Sequence, residues 1–446
     1  MTTQHDSLGP AFPTEALARR RRSVLDRLQG GALVLPAAPH RFRSRDTEYR
    51  YRPDSELFYL TGLTEPGAVA VLRDVEEGDR FVLFVRERDE EAERWTGPRA
   101  GPERAAELFG ADATHSLGEL EDRLPGLLSA ARRLHYRLGA DPRTQVLVLE
   151  ALETARRRGS RKGTGPRSVV DPGEILDELR LRKDPEELAR IRRAARVTGD
   201  GFRAALAAVR PGAGEWEVEA ALEGAFRRAG AGGPSFQTIV GSGANACVLH
   251  YDRNGDTMEE GDLVLVDGGA EVGLYNGDVT RTVPVSGRFT PEQRDLYDIV
   301  DEARRAAVGA VTPGAGVADV HDAALRILVE GMLDVGLLRG STDALIEEEA
   351  HKAYFPHQTS HWLGLDVHDP GDYARDDEPR SLEAGMVLTV EPGLYVPAGT
   401  EEPGAAPFAG IGVRIEDDVL VTTEGGENLT GALPSAADEV AALVGG

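Results

Sequence analysis

The 446-residue chain contains a single cysteine, Cys247, and only three lysines. A lone cysteine excludes an internal disulfide, which fits a reducing cytoplasm. Its position in NACVLHY predicts a small buried side chain rather than a catalytic thiol. No stretch approaches the length of a membrane span, and the opening MTTQHDSLGP lacks the apolar core of a signal peptide. We therefore expect a cytoplasmic protein without a membrane segment.

Positive charge is also scarce relative to negative charge. The chain has 51 Lys and Arg against 76 Asp and Glu, a net charge of −25. Because no basic stripe offsets this excess, nucleic acids and anionic membrane surfaces are not expected partners. Hydrophobic residues make up 41% and charged residues 28%, as in an ordinary globular protein. A chain of this length is too long to fold around one compact core, so two domains are expected.

The sequence pattern changes near residue 177. Before it, strand-like runs (GALVLPA, AVAVLRD, RFVLFVR, RLHYRLG) alternate with helical segments such as EALARRRRSVLDRLQ and PERAAELFG. This alternation predicts a smaller α/β domain over residues 1–176. The basic stretch ARRRGSRKGTGPRS near its end predicts an exposed loop. Residues 177–446 form the second predicted domain.

An internal repeat organises the second domain. The segment AALAAVRPGAG, ending at Gly214, recurs as AAVGAVTPGAG, ending at Gly316, an offset of 102 positions. Amphipathic helices are predicted before and after each copy. Capping boxes are predicted for both preceding helices, at Asp184–Glu187 and Thr290–Gln293. Strand patterns follow each helix pair, so we expect two pseudo-symmetric halves with a site between them.

Two aspartates in the first half, Asp267 and Asp278, lie in LVLVDGGAEVGLYNGDVTRTVPV. An apolar run ends in the first aspartate, and a second run begins after the other. This predicts two antiparallel strands with both carboxylates at one end. Carboxylates this close repel one another unless one is protonated or a cation lies between them.

Further candidate ligands occur in the second half. Glu391 follows MVLTV, and Glu416 ends IGVRIE, where Arg414 shares its strand face. With His361 they make four carboxylates and one imidazole, which suits two divalent metals with bridging carboxylates. Any single acidic residue in so acidic a chain is more often a solvated surface group. The apolar strand beside each carboxylate favours the metal site.

Histidines concentrate in the same domain. His250 precedes Asp267 by seventeen residues, and three more lie in YFPHQTSHWLGLDVHDPGDY: His357, His361 and His368. The spacing of His357 and His361 does not fit a helical zinc motif, because Glu does not follow the first histidine. The remaining histidines are interpreted as structural groups (His5, His40, His115, His135) or surface helix residues (His321, His351).

Five ordered motifs together resemble the M24 metallopeptidases of the pita-bread fold, and among them aminopeptidase P. They are LHY, VDGGAEVGLYNGDVTRTVPVSG, SHWLGLDVHD, LTVEPGLY and GIGVRIEDDV. The N-terminal string EYRYRPDSELFYLTGLTEPGAVAVL resembles the amino-terminal domain of that family. The resemblance spans nearly the whole chain and implies an α/β (α+β) protein with a C-terminal pita-bread domain of two pseudo-symmetric halves.

The resemblance also implies the metal ligands. Asp278 and Glu416 would bridge two divalent ions, Asp267 would bind one, and His361 and Glu391 the other. The family typically uses manganese, and the hard oxygen ligands agree with it, although cobalt or zinc also fits. The implied activity is release of the N-terminal residue from peptides with proline in second position.

Roles for the other residues follow from the same resemblance. Glu391 would also carry the proton to the leaving nitrogen, while His250 and His368 would contact the substrate carbonyl and the tetrahedral intermediate. His357 would line the proline pocket. Arg414 would hold Glu416, with Tyr395 nearby. With His357, both Arg414 and Tyr395 are predicted to belong to the substrate-binding residues.

Alternatives remain at this point. Prolidase, which cleaves Xaa-Pro dipeptides, shares the fold and the ligands, and some proteins of this fold bind without catalysing. Methionine aminopeptidases lack a comparable N-terminal domain.

Family members commonly form dimers or tetramers. Trp95 resembles a tryptophan that reaches a neighbouring subunit's active site in some of them, although an exposed rim position or packing within the N-terminal domain explains it equally well.

Overall fold

A computed structural model describes residues 9–375 and 377–445 of the chain. The chain divides into two compact units, Met1–Leu179 and Arg180–Gly446. Helices and strands occur in both units, so the predicted mixed α/β class is confirmed. Among the described residues, no helix is both long enough and apolar enough to cross a membrane. His5 lies outside the described residues.

The first unit contains a mixed six-stranded sheet whose strands are, in spatial order, Ala113–Ser116, Phe81–Val85, Val69–Arg73, Ala32–Pro36, Leu134–His135 and Val169–Val170. Its core packs sheet residues such as Val71 and Phe84 against helix residues such as Leu124 and Leu152. Its helices are α1 Thr14–Leu25, α2 Ser55–Thr61, α3 Glu90–Thr96, α4 Gly101–Phe109, α5 Leu120–Leu128, α6 Pro142–Gly159 and α7 Gly173–Leu181, the last of which continues into the second unit. Its strands are β1 Ala32–Pro36, β2 Phe42–Ser44, β3 Thr47–Glu48, β4 Val69–Arg73, β5 Phe81–Val85, β6 Ala113–Ser116, β7 Leu134–His135 and β8 Val169–Val170.

The basic stretch over residues 155–168 is not wholly a loop. Helix α6 continues to Gly159, and a 3-10 turn follows over Ser160–Lys162. Ala155 and Gly159 are buried, while the three arginines between them face solvent. The prediction is wrong here because the arginines occupy the exposed face of an amphipathic helix.

The second unit is built from paired helices and short sheets. Its helices are α8 Pro185–Ala208, α9 Glu215–Arg228, α10 Pro291–Ala310, α11 Val317–Asp334, α12 Thr342–Glu347 and α13 Ala437–Ala441. Its strands are β9 Gly233–Pro234, β10 Ile239–Ser242, β11 Leu263–Gly268, β12 Ala270–Val272, β13 Tyr275–Asn276, β14 Val279–Pro284, β15 Ala374–Arg375, β16 Glu378–Pro379, β17 Val387–Val390, β18 Gly393–Tyr395, β19 Gly412–Arg414, β20 Asp417–Val421 and β21 Gly426–Asn428.

The internal repeat is confirmed in the backbone. Helices α8 and α9 pack together, as do α10 and α11. Gly214 forms an antiparallel bridge with Thr257, and Gly316, 102 positions later, forms the equivalent bridge with Ser381. The predicted capping boxes are present, with Asp184 Oδ1 accepting from the backbone N–H of Glu187, and Thr290 Oγ1 accepting from that of Gln293.

Each half places one strand pair at its centre. Strand β11 pairs with β14 in antiparallel register, with Asp267 opposite Thr280. Strand β17 also pairs with β20 in antiparallel register, with Val390 opposite Asp417. These two pairs present the acidic residues of both halves at strand ends.

The glycine-rich connection after β11 is required by a close backbone approach. A Cβ atom at Gly269 would lie 1.6 Å from the carbonyl oxygen of Gly277. At Gly277 it would lie 2.7 Å from Thr198 Oγ1 on α8. Only glycine fits where the backbones come this close, and this approach brings the chain back beside β11 just before Asp278.

Candidate metal centre

The first half contributes two buried aspartates. Asp267 lies in β11 and Asp278 immediately precedes β14, so both side chains lie at the same end of this antiparallel pair. They are 7% and 4% exposed, respectively. The backbone N–H of Asp278 donates to Asp418 Oδ2 at 3.2 Å. The expected strand-end placement of the two carboxylates is present, although β12 and β13 form a separate small sheet in the connection.

The second half contributes two glutamates and a histidine. Glu391 follows β17, and Glu416 lies between β19 and β20. The backbone of His361 is bonded on both sides to Thr389 in β17, because its N–H donates to Thr389 Oγ1 and its carbonyl accepts from Thr389 N–H. Strand β17 therefore positions both His361 and Glu391.

The residues from the two halves meet. Ligand atoms of Asp278, His361 and Glu416 lie within 4.8 Å of one another. His361 Nε2 is 3.4 Å from Asp278 Oδ2 and 3.6 Å from Glu391 Oε1. His361 Nδ1 lies 3.0 Å from the carbonyl oxygen of Trp362, the partner that fixes a proton on Nδ1 and leaves Nε2 facing the carboxylates.

The buried carboxyl and imidazole groups of this cluster shift one another's pKa values. Burial, with the neighbouring carboxylates, raises the pKa of Asp278 to about 6 and that of Glu391 to about 7. Burial and the same neighbours raise the pKa of Glu416 well above its ordinary value. Burial alone would lower the pKa of His361, but its hydrogen bond to Asp278 and the charge of Glu391 outweigh it and raise that pKa to about 9.

These groups fit divalent cations. Asp267 Oδ1 is buried and has no hydrogen-bond partner, and the clustered carboxyl groups cannot all ionise without a counter-charge. Oxygen ligands with one imidazole suit small divalent metals. The arrangement is therefore a site of Asp, His and Glu for divalent metal.

Arg414 contacts a different carboxylate from the one expected. Its Nη2 donates to Asp267 Oδ2 at 2.6 Å. It reaches Glu416 only through Thr280, whose hydroxyl accepts from Arg414 Nε at 3.2 Å and donates to Glu416 Oε2 at 2.7 Å. The expectation that Arg414 holds Glu416 directly is wrong, because sharing a strand face sets the direction of a side chain but not the neighbour across the sheet.

A cavity of about 510 Å³ opens over the cluster. Apolar side chains in its wall include Phe236, Ile239, Leu249 and Val367. His250 and His368 are exposed and line it, and the His368 ring meets the His361 ring edge to face at 4.5 Å. The sequence-predicted site residues that line it are Asp267, Asp278, His250, His357, His361, His368, Glu391, Arg414 and Glu416.

Tyr395 is not among the lining residues. Its hydroxyl lies behind the wall, accepting from Arg414 Nη1 at 3.0 Å and lying 2.9 Å from His357 Nε2. His357 Nδ1 lies 2.8 Å from the carbonyl oxygen of Gln358. Burial lowers the pKa of His357 to about 4 and raises that of Tyr395 to about 12, so both are neutral at pH 7.

Sequence reasoning missed Glu215, which anchors the segment carrying His250. This fully buried carboxylate accepts from the backbone N–H and hydroxyl of Ser242, from Asn245 Nδ2, from the Tyr251 hydroxyl and from the backbone N–H of Asp256. Its position directly after the PGAG turn gave a signal for a helix start, but not for these partners.

A second anchor holds the segment after His361. Asp369, which follows His368, is buried and pairs with Arg180 at 2.7 Å and with Lys183 at 3.1 Å. Burial would raise the pKa of Asp369, but these two cations outweigh it and lower it. Because the partners are nearly two hundred positions apart in the chain, the sequence carries no local signal for the pairs.

Some further expectations change. His321 is half-buried and bonded to Thr359, and His351 is 6% exposed, so the prediction that both are surface residues is wrong. The ring of His321 on α11 and the ring of His351 in the 3-10 turn after α12 both lie inside the protein. The thiol of Cys247 donates to the carbonyl of Val396, and burial raises its pKa to about 11, in agreement with an unreactive side chain.

The fold and the site together define a metal-dependent hydrolase. The family model for metallopeptidase family M24 matches residues 189–423, and the model for the aminopeptidase P N-terminal domain matches residues 17–136. The chain therefore belongs to metallopeptidase family M24, within it to the aminopeptidase P group, and has the fold of that group.

Individual proteins of this group are similar to the chain over nearly its whole length. The chain is 42% identical to the Xaa-Pro aminopeptidase of Escherichia coli over 96% of both chains. The structure of a Pseudomonas aeruginosa aminopeptidase is similar at a TM-score of 0.93 and 42% identity, covering 97% of this chain and 98% of the other. A zinc-substituted Escherichia coli aminopeptidase P in complex with product has a TM-score of 0.92 at 42% identity, with the same coverage.

Proposed function

We propose that the protein is a dinuclear-metal aminopeptidase that releases the N-terminal residue from peptides with proline in second position. One observation carries the proposal: Asp278, His361 and Glu416 converge beneath an open cavity in a chain that belongs to the aminopeptidase P group. The 42% identical relative from Escherichia coli is an Xaa-Pro aminopeptidase, which supports the same substrate class.

The proposed ligand assignment is the one that the family resemblance implies, and the side-chain positions support it. Asp278 and Glu416 are proposed as the bridging carboxylates, since they are the two carboxylates in the tight cluster with His361. Asp267, whose free Oδ1 is buried, would complete one metal position, and His361 with Glu391 the other. We propose manganese as the metal, with cobalt or zinc as alternatives that these ligands also accept.

When bound, the ions supply a nucleophilic water at neutral pH and stabilise the negative charge that develops on the scissile carbonyl oxygen. Glu391 takes the proton of the attacking water at its carboxylate and delivers it to the leaving proline nitrogen. An X–Pro bond has no N–H, so the enzyme needs no contact to that group.

The histidines of the wall hold the substrate. His250 and His368 lie exposed beside the cluster, where they can donate to the substrate carbonyl and the tetrahedral intermediate. Both ring nitrogens of His357 are engaged with the protein, to Tyr395 and Gln358, so the ring offers the cavity its carbon face. That face suits the proline ring. Tyr395, behind the wall, would fix His357, and Arg414, which lines the cavity, would fix Asp267.

Several broader features belong to the same proposal. Residues 1–176 would form the aminopeptidase P N-terminal domain and residues 177–446 the catalytic domain, which agrees with a division after Leu179. We propose a homo-oligomer, dimer or tetramer, in the cytoplasm. Trp95, 86% exposed on α3, is available at the surface of the first unit for a subunit contact.

The test is a peptide assay with purified protein and Mn²⁺. Cleavage of Arg-Pro-Pro after its first residue supports the proposal. Cleavage of the dipeptide Ala-Pro alone would indicate prolidase activity instead. Failure to cleave either, with metal bound, would indicate a binding protein of this fold. The matched control is the metal-free protein prepared with a chelator.

A further inference from the structure

His321 lies on α11 behind the cavity wall, and its ring contacts the segment that leads to His361. The ring stacks on Phe355 with centroids 5.8 Å apart and an interplanar angle of 22°. Its Nδ1 is 2.9 Å from Thr359 Oγ1 and accepts from the backbone N–H of Thr359 at 3.3 Å. A single imidazole nitrogen therefore accepts from both hydrogen-bond donors of one buried residue, its hydroxyl and its backbone N–H.

Thr359 connects this ring to the metal site. It is fully buried, and its carbonyl oxygen accepts from the backbone N–H of Glu391 at 2.8 Å. It also lies two residues before His361. The position of Thr359 therefore sets where β17 delivers Glu391 and where the chain turns to present His361.

The second contact of His321 leads to the substrate wall. Phe355 meets the ring of His357 edge to face at 4.8 Å. His357 in turn reaches Tyr395 at 2.9 Å. The hydrogen bonds from Thr359 need an acceptor at Nδ1, and the neutral form of His321 has one. Burial lowers the pKa of His321 and so favours this neutral form.

We infer that His321 is a positioning residue for Glu391 and His361, and that it acts through the hydrogen bonds from Thr359 to its Nδ1. This inference rests on the proposed metal site. A residue that merely packs α11 against the segment would act through its ring, whereas a positioning residue of this kind acts through its acceptor.

Three variants separate these two roles. His321→Asn places a carbonyl oxygen near the position of Nδ1 and keeps the acceptor without the ring. His321→Phe keeps a ring over Phe355 and removes the acceptor. His321→Gln moves its acceptor towards the position of Nε2, so it also loses the bond to Thr359 and decides the matter if the Phe variant does not fold. His351→Asn, a buried neighbouring histidine outside the described network, is the matched control.

Three quantities are measured for each variant: Mn²⁺ affinity by calorimetry without substrate, and kcat and KM on Arg-Pro-Pro. His321→Phe and His321→Gln should bind the metal about 10- to 100-fold more weakly and lose kcat by a similar factor, as for other residues that orient metal ligands. KM should change little. His321→Asn and His351→Asn should stay within about threefold of the parent protein, since each keeps the Thr359 contacts.

Unchanged metal affinity and kcat in His321→Phe or His321→Gln would overturn the inference, as would an Asn variant as impaired as the Phe variant. The metal titration needs no peptide. If the parent protein fails to cleave Xaa-Pro substrates, the proposed function fails, but the role of His321 is still decided by metal affinity.

Discussion

Arg414 and Asp267 form a buried ion pair in which Nη2 and Oδ2 are 2.6 Å apart. The guanidinium also contacts Thr280 and Tyr395, so one side chain connects the carboxylates of both halves to the cavity wall. A planar group with several fixed donors is needed for three such contacts.

Replacing Arg414 by Lys should therefore impair the enzyme although the charge is kept. A lysine ammonium can pair with Asp267 but cannot at the same time reach Thr280 and Tyr395. We expect metal affinity and kcat/KM to fall by about 10- to 100-fold. Calorimetry and peptide kinetics would show this, with the exposed Arg326→Lys as control. Parent-like values in Arg414→Lys would mean that charge alone suffices.

The proposed bridges are tested by metal content. Asp278→Ala and Glu416→Ala should lose activity and bind fewer than two ions, because a bridging carboxylate neutralises the repulsion between neighbouring cations. Elemental analysis of protein dialysed against Mn²⁺ gives the stoichiometry, and Glu424→Ala at an exposed site serves as control. Two tightly held ions in Glu416→Ala would contradict its bridging role.

Ligand and substrate roles separate among the histidines. His361→Ala should lose metal and activity together. His250→Ala and His368→Ala should keep their metal and lose about a hundredfold or more in kcat/KM, as expected when a transition-state contact is removed. Release of metal from His368→Ala would reverse the roles assigned to His361 and His368.

Metal uptake should release protons. In the metal-free site the pKa of His361 is raised to about 9, that of Glu391 to about 7 and that of Asp278 to about 6, so protons remain on groups that must lose them to bind a cation. Mn²⁺ affinity should therefore fall as the pH decreases from 8 to 5. Calorimetry in two buffers of different ionisation enthalpy measures the protons released. Equal heats in both buffers at pH 7 would contradict this prediction.

Substrate choice should depend on a free amine and on proline. The acidic cluster offers the α-ammonium an anchor, so acetylating Arg-Pro-Pro should remove most of the activity. Arg-Ala-Ala should be cleaved far more slowly, because alanine leaves the ring pocket unfilled. Extension beyond proline should be tolerated. Equal rates on acetylated and free Arg-Pro-Pro, measured by chromatography of the products, would contradict an exopeptidase.

The sequence by itself determined the helix starts and the repeat of the second unit and the ligand candidates, because these depend on local signals. Asp184 and Thr290 begin their helices as capping residues, and the 102-residue repeat predicted the two halves. Apolar runs ending in acidic residues predicted which carboxylates lie at strand ends. The chemistry of a metal site could be anticipated from these positions, since it requires specific residue types beside buried strands.

Only the tertiary structure decided which groups touch. Arg414 pairs with Asp267 rather than Glu416, and His321 turns inward to Thr359 although its helix suggested a surface position. Each of these pairs is separated by 38 residues or more, and their contacts depend on how strands and helices pack. Spacing along the chain gives the face on which a side chain lies, but the partner opposite that face comes from elsewhere in the chain.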